Sequence, residues 1–99
     1  MDWIKPYRQK INDLDDRIID LLAERLEVIR EVGHLKAEKG VPAVIPERVE
    51  EVRERNAERA SEKGLDPELV RELYIRLIDY SCNLEEDIKR EKTRNDIFS

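Results

Sequence analysis

Apolar residues recur through the first third of the chain at alternating steps of three and four: Ile4, Tyr7, Ile11, Leu14, Ile18, Leu21, Val28, Val32 and Leu35. That spacing marks one face of a helix. Between Pro6 and Gly40 there is no proline and no glycine except Gly33. The pattern therefore predicts a single helix of roughly 36 residues, about 54 Å long at 1.5 Å per residue. A compact monomer of this size would be only about 34 Å across, so the helix overshoots its own domain. An apolar stripe left bare over that length would aggregate, which leads us to expect an intertwined oligomer, most simply a two-fold dimer.

One position breaks the seam: Arg25 stands where the series calls for an apolar side chain. A guanidinium on an inner face is costly unless it meets a carboxylate or phosphate. Arg25 thus predicts either an anionic ligand inside the bundle or an Arg–Glu pair that fixes the register of the helices.

Gly40 can close the first helix in a left-handed conformation, and Val41-Pro42-Ala43-Val44-Ile45 forms a short connection. Pro46 restarts the helix with Glu47 in its first turn, and Val49, Val52, Asn56 and Ala60 make a weak inner face before Gly64. Asp66-Pro67 is a strong start signal for a third helix. Its inner stripe runs through Val70, Tyr74, Leu77, Ser81, Leu84 and Ile88, flanked by Leu73, Ile78 and Glu85, and fades in the polar stretch from Lys89 to Asp96. We expect an all-α fold with a helical domain over residues 1–88 and a polar C-terminal tail over 89–99, without strands, repeats or low-complexity linkers.

Composition agrees with a thin-cored bundle, since 43% of residues are charged and 5% aromatic. A net charge of -5 argues against nucleic acid or an anionic membrane as partner, so any anion site must be enclosed. Cys82 is the only cysteine, which excludes an intrachain disulfide, offers no zinc cluster and fits a reducing cytoplasm. The start, Met-Asp-Trp-Ile-Lys-Pro, has no apolar targeting stretch, and no apolar run approaches a membrane span, so neither export nor insertion is expected.

Helical geometry selects which polar residues can act together. Arg25 and Lys36 are eleven positions apart, about 1100° of rotation and so about 20° from three full turns; both project from one face and can grip one anion. Arg8 lies about 100° off that face and far along the axis, where in an antiparallel dimer it would reach the partner's site. Arg48 opens the second helix, where free backbone N–H groups already favour an anion. Taken singly, Arg8 and Lys36 read as solvated surface residues whose side-chain stems cover apolar area. On the third helix Ser81 suits a back-bonded hydroxyl, and Glu85 suits a salt-bridge partner for one of the arginines. His34 has no triad spacing around it and reads as structural or exposed, and Cys82 reads as a small buried filler.

The run Tyr7-Arg8-Gln9-Lys10-Ile11-Asn12-Asp13-Leu14-Asp15, then Leu21-Leu22-Ala23-Glu24-Arg25, then Val32-Gly33-His34-Leu35-Lys36, resembles the all-helical AroQ-type chorismate mutases. The resemblance continues through Pro42, Glu47-Arg48, Gly64-Leu65-Asp66 and Ser81 and covers about residues 4 to 88. It implies three helices per chain, two interlaced chains and two equivalent sites for a small dicarboxylate. By position, it implies that Arg25 binds one substrate carboxylate and that Arg8 from the other chain binds carboxylate as well. Arg48 would help hold the ring carboxylate, and Lys36 would contact a carboxylate and the ether oxygen. Glu85 stands where many members have glutamine and some glutamate, donating a hydrogen bond to that same oxygen, and Ser81 matches a position lining the ring side of the pocket.

The reaction so implied is a concerted [3,3] shift of chorismate to prephenate. It needs no cofactor, metal or nucleophile, only a compact chair and stabilisation of the negative charge growing on the ether oxygen. Arg25, Lys36 and Glu85 are the catalytic candidates. A glutamate donates only when protonated, so activity is expected to weaken as pH rises and Glu85 ionises.

Two positions depart from the pattern. Ile45 and Val49 stand where many chorismate mutases carry an acidic loop residue and a glutamate that contact the ring hydroxyl. Pro46-Glu47-Arg48-Val49 is similar instead to relatives acting on chorismate analogues, the isochorismate pyruvate lyases and 4-amino-4-deoxychorismate mutases. The Gly40-Val41-Pro42 loop and Cys82-Asn83-Leu84-Glu85 favour the amino-substrate mutase over the lyase. A helical dimerisation module without activity accounts for the seam, but not for Arg8, Arg25, Lys36 and Arg48 together.

Overall fold

The computed structural model describes residues 2–98. A 3-10 turn, Asp2–Ile4, leads into three helices: α1 (Lys5–Lys39), α2 (Pro46–Glu62) and α3 (Pro67–Phe98). Each boundary has a local cause. Gly40 ends α1 at φ 67°, and its amide donates to the carbonyl of Lys36, closing the last turn in the left-handed conformation that glycine tolerates. Pro46 opens α2 with Glu47 in the first turn. Asp66 caps α3: its Oδ1 accepts from the Glu68 amide at 2.9 Å.

The helix of α3 outlasts its apolar stripe. It continues from Lys89 to Phe98, carried by residues with high helix propensity and by the pairs Arg90–Asp87 and Lys92–Asp96 rather than by burial.

α3 is the central element. It packs against both α1 and α2, which do not pack on each other. α2 returns antiparallel to α3 through the short turn at residues 63–66, and α1 and α3 run in the same direction, with Arg25 opposite Ser81 and Gly33 opposite Glu85 and Ile88. Gly33, buried inside α1, permits that approach: a Cβ there would lie 3.0 Å from Ile88 Cδ1 and 3.3 Å from Glu85 Cγ.

Small residues let α2 come close to α3, and Ala57 and Ala60 are buried in that contact. An ion-pair clamp crosses the same interface. Glu54 receives the Arg71 guanidinium at 3.0 Å and the neighbouring Arg53 Nε at 3.0 Å, and Arg71 also pairs with Glu68. Hydrogen bonds from Arg71 and then Arg53 hold the Glu54 carboxyl below its ordinary range.

The core of one chain is thin. Its buried apolar residues among those described are Ala43, Ala57, Ala60 and Ile78. The molecule measures 62 × 27 × 15 Å with a radius of gyration of 17.9 Å, against about 13 Å for a compact chain of this length. The long seam accounts for the difference: Tyr7, Ile11, Leu14, Ile18 and Leu21 are all more than half exposed. Among the described residues no helix is long and apolar enough to cross a membrane.

Candidate active site

Because α1 and α2 stand apart on either side of α3, the chain holds a cleft of about 520 Å³ with α3 as its floor. α1 contributes Arg25 and Lys36, α2 contributes Arg48, and α3 contributes Ser81 and Glu85. Five of the six residues singled out from sequence thus meet in one place. The sixth, Arg8, does not join them: it is exposed and sits about 25 Å up the axis of α1 from Arg25.

Arg25 forms no ion pair with any carboxylate among the described residues. Its Nη1 donates to Ser81 Oγ at 3.0 Å, and its guanidinium lies 5.8 Å from the centroid of the Tyr74 ring. Within one chain, then, Arg25 makes no register-fixing pair with a glutamate among the described residues. Glu85, expected as partner to an arginine, instead faces Lys36. The Lys36 Nζ lies 2.8 Å from Glu85 Oε1 and donates to the Ala43 carbonyl at 2.9 Å. Arginine reaches Ser81 one turn earlier on α3, which leaves Glu85 within reach of the lysine.

The Lys36–Glu85 contact is an ion pair by distance but not a hydrogen bond by direction. Oε1 is buried and accepts no hydrogen bond, so a buried carboxylate oxygen at the cleft keeps its hydrogen-bonding capacity open. Ser81 has spent its hydrogen: it donates to the Leu77 carbonyl at 2.8 Å and accepts from Arg25. Arg48 stands at the rim, exposed, with Nη1 2.7 Å from Glu51 Oε1.

An apolar wall completes the cleft, formed by Val28, Ile29 and Val32 from α1 and Ile45, Val49 and Val52 from the connection and α2. Cys82, expected as a buried filler, is only half-buried and lines the cleft. Burial, and after it the charge of Glu85, pushes its thiol above the ordinary value. His34 is exposed. Among the described residues no three His, Cys, Asp or Glu side chains converge in a way that would hold a metal ion.

Sequence reasoning did not pick out Arg55, which also lines the cleft. Its spacing carried a signal: seven positions after Arg48 is about 700°, within 20° of two turns, so both guanidinia share a face of α2. The cleft therefore gathers four cationic side chains, Arg25, Lys36, Arg48 and Arg55, around a single carboxylate, Glu85. Such a site suits a small dianion with an apolar body.

Comparison with known proteins agrees with that character. The family profile of chorismate mutase type II matches residues 7–86. The chain is 34% identical over 80 residues to the T-protein of Enterobacter agglomerans, an alignment covering 81% of this chain and 21% of that protein. It thus spans about a fifth of that relative's length. It is 30% identical over 83 residues to the 4-amino-4-deoxychorismate mutase of Streptomyces venezuelae, covering 84% of this chain and 81% of that one. Against the chorismate mutase of Methanocaldococcus jannaschii it is 28% identical over 88 residues, covering 89% and 88% respectively. With its three helices and its cation-rich cleft, the chain belongs to the AroQ-type, or type II, chorismate mutase family.

Proposed function

We propose that the protein is a cofactor-free mutase that rearranges chorismate to prephenate, or the ring analogue 4-amino-4-deoxychorismate to 4-amino-4-deoxyprephenate, as an intertwined homodimer. The observation that carries this reading is Arg25, a guanidinium on an inner helix face that no carboxylate among the described residues neutralises. A dianionic substrate supplies the missing counter-charge.

In this reading Arg25, Arg48 and Lys36 overcome the repulsion between the two carboxylates and hold the reacting ends in a chair, the near-attack geometry of the [3,3] shift. As the C–O bond breaks, negative charge grows on the ether oxygen. Lys36 and a protonated Glu85 donate to it from fixed positions, so little reorganisation is required at the transition state. The placement of the two side chains supports this assignment: both line the cleft, with Lys36 Nζ 2.8 Å from Glu85 Oε1.

The homodimer rests on the bare seam. Five seam residues of α1, Tyr7, Ile11, Leu14, Ile18 and Leu21, are solvent-exposed on a chain with a very small core, and the same face of a second copy is the self-complementary cover. In an antiparallel pairing Arg8 would reach the partner's cleft and add a carboxylate contact.

Incubation of the purified protein with chorismate, 4-amino-4-deoxychorismate and isochorismate, with products resolved by mass, tests the proposal. The expected outcome is a [3,3] product from one of the first two. Release of pyruvate from isochorismate would assign the protein as a lyase. No turnover of any of the three would leave a helical dimerisation module.

A further inference from the structure

Neutral groups hold Arg25. Ser81 Oγ accepts from Nη1 at 3.0 Å, and because that hydroxyl spends its own hydrogen on the Leu77 carbonyl at 2.8 Å, it faces Arg25 as an acceptor. The Tyr74 ring lies 5.8 Å from the guanidinium carbon, within the range of a cation–π contact. Tyr74, Ile78 and Ser81 follow one another along a single face of α3 and all line the cleft. Hydroxyl and ring therefore constrain the guanidinium on two sides without neutralising it. A carboxylate in either place would compete with an anionic ligand for the same N–H groups. Direction is fixed while charge stays available.

We infer that Tyr74 is a positioning residue, which acts through Arg25 by holding the guanidinium in the orientation that receives a substrate carboxylate. Its own contact with substrate is not required. The kinetic part of this inference rests on the mutase reading above; the positional part does not. A misplaced guanidinium would weaken both ground-state binding and the transition state, so the effect belongs in kcat/KM.

The test pairs one measurement on the protein with one on its catalysis, in the full-length chain. First, nuclear relaxation of the Arg25 Nε–H group reports its order in the wild type, Tyr74→Leu and Tyr74→Phe. Order is expected to fall in the leucine variant and to return in the phenylalanine variant, which keeps the ring. Second, kcat/KM on the best of the three substrates is compared in a double-mutant cycle with Arg25→Met, which has no cation to hold over the ring. Tyr74→Leu should lower kcat/KM about two- to thirtyfold, the range to which a cation–π contact of about 0.5–2 kcal/mol converts at about 1.4 kcal/mol per tenfold. It should cost little more once Arg25 is methionine. Arg25 equally ordered in Tyr74→Leu, or a Tyr74→Leu penalty undiminished in the Arg25→Met background, would overturn the inference. Absence of turnover in the wild type would count against the mutase reading, and the relaxation data would still decide the role of Tyr74.

Discussion

The ammonium of Lys36 lies 2.8 Å from Glu85 Oε1, yet that oxygen accepts no hydrogen bond. The pair is attractive but not saturated, and Lys36 completes its own shell on the Ala43 carbonyl. Since both side chains are largely removed from solvent, deleting one of them does more damage than deleting both. Lys36→Met should abolish turnover and destabilise the fold by about 3–5 kcal/mol by leaving Glu85 uncompensated. Adding Glu85→Leu should recover much of that stability but none of the activity. Urea unfolding and turnover assays on the single and double variants check both halves.

The proposed donor role of Glu85 can be tested by shape-preserving replacement. Facing it are the Lys36 ammonium from α1 and Cys82 on its own helix. A carboxamide of nearly the same shape always carries N–H donors. Glu85→Gln should keep turnover, whereas Glu85→Leu, which cannot donate, should lose about 10²–10³-fold in kcat; steady-state kinetics of the two variants check this.

Arg25→Met keeps much of the side-chain length and removes the charge. The expected loss in kcat is about 10²–10³-fold, or about 2.7–4 kcal/mol, as for other preorganised donors. The oligomeric state should persist, because Arg25 makes no ion pair among the described residues. Sedimentation beside the activity assay checks this; a dissociated variant would make Arg25 structural.

Gly33→Ala opposes two effects. Alanine raises helix propensity by about 1 kcal/mol, but its Cβ would press on Ile88 Cδ1 at 3.0 Å and on Glu85 Cγ at 3.3 Å. Ile88 Cδ1 is the end of a flexible side chain and can turn aside, and the backbone of Glu85 at 3.5 Å is in ordinary contact, but Glu85 Cγ must give by a few tenths of an ångström, which shifts its carboxyl in the cleft. We expect a near-neutral stability change and a clear drop in kcat with KM less affected, measured by thermal unfolding and steady-state kinetics.

Acid should loosen the α2–α3 interface. The Glu54 carboxyl is held below its ordinary range by Arg71 and Arg53. Its contribution is therefore fully present above the unfolded value near 4.5 and is lost as pH falls through the lower folded value. Glu54→Gln should be less stable than the wild type at neutral pH and should lose less on acidification. Thermal melts from pH 7 to pH 3 measure the difference.

Local chemistry explains why most of the fold was legible in the chain. The three-four spacing marked α1, while Gly40, Pro46 and Asp66-Pro67 marked its end and the starts of α2 and α3, because each of these signals acts within a turn or two. Arg25 and Lys36 were legible as a pair because both lie on one rigid helix. The partner of Glu85 was not, since it depends on how far α3 slides along α1, a quantity set by Gly33 and by side-chain reach. The extension of α3 to Phe98 was obscured for the opposite reason: it buries almost nothing, and propensity with i,i+4 charge pairs sustains it. Arg55 escaped because α2 has the weakest apolar face, so which of its arginines turn inward is decided by the packing of Ala57 and Ala60 on α3.

That α1 and α2 touch only through α3 has a mechanical consequence. Among the described residues no hydrogen bond or ion pair joins α1 to α2 themselves, so a dianion gripped by Arg25 and Lys36 on one side and Arg48 on the other would be the mortar of the molecule. Occupancy should then be felt throughout the fold. Ligand at a hundredfold excess over its Kd adds about 2.7 kcal/mol to the folded state, and in this chain that gain would come from joining two helices that otherwise stand apart.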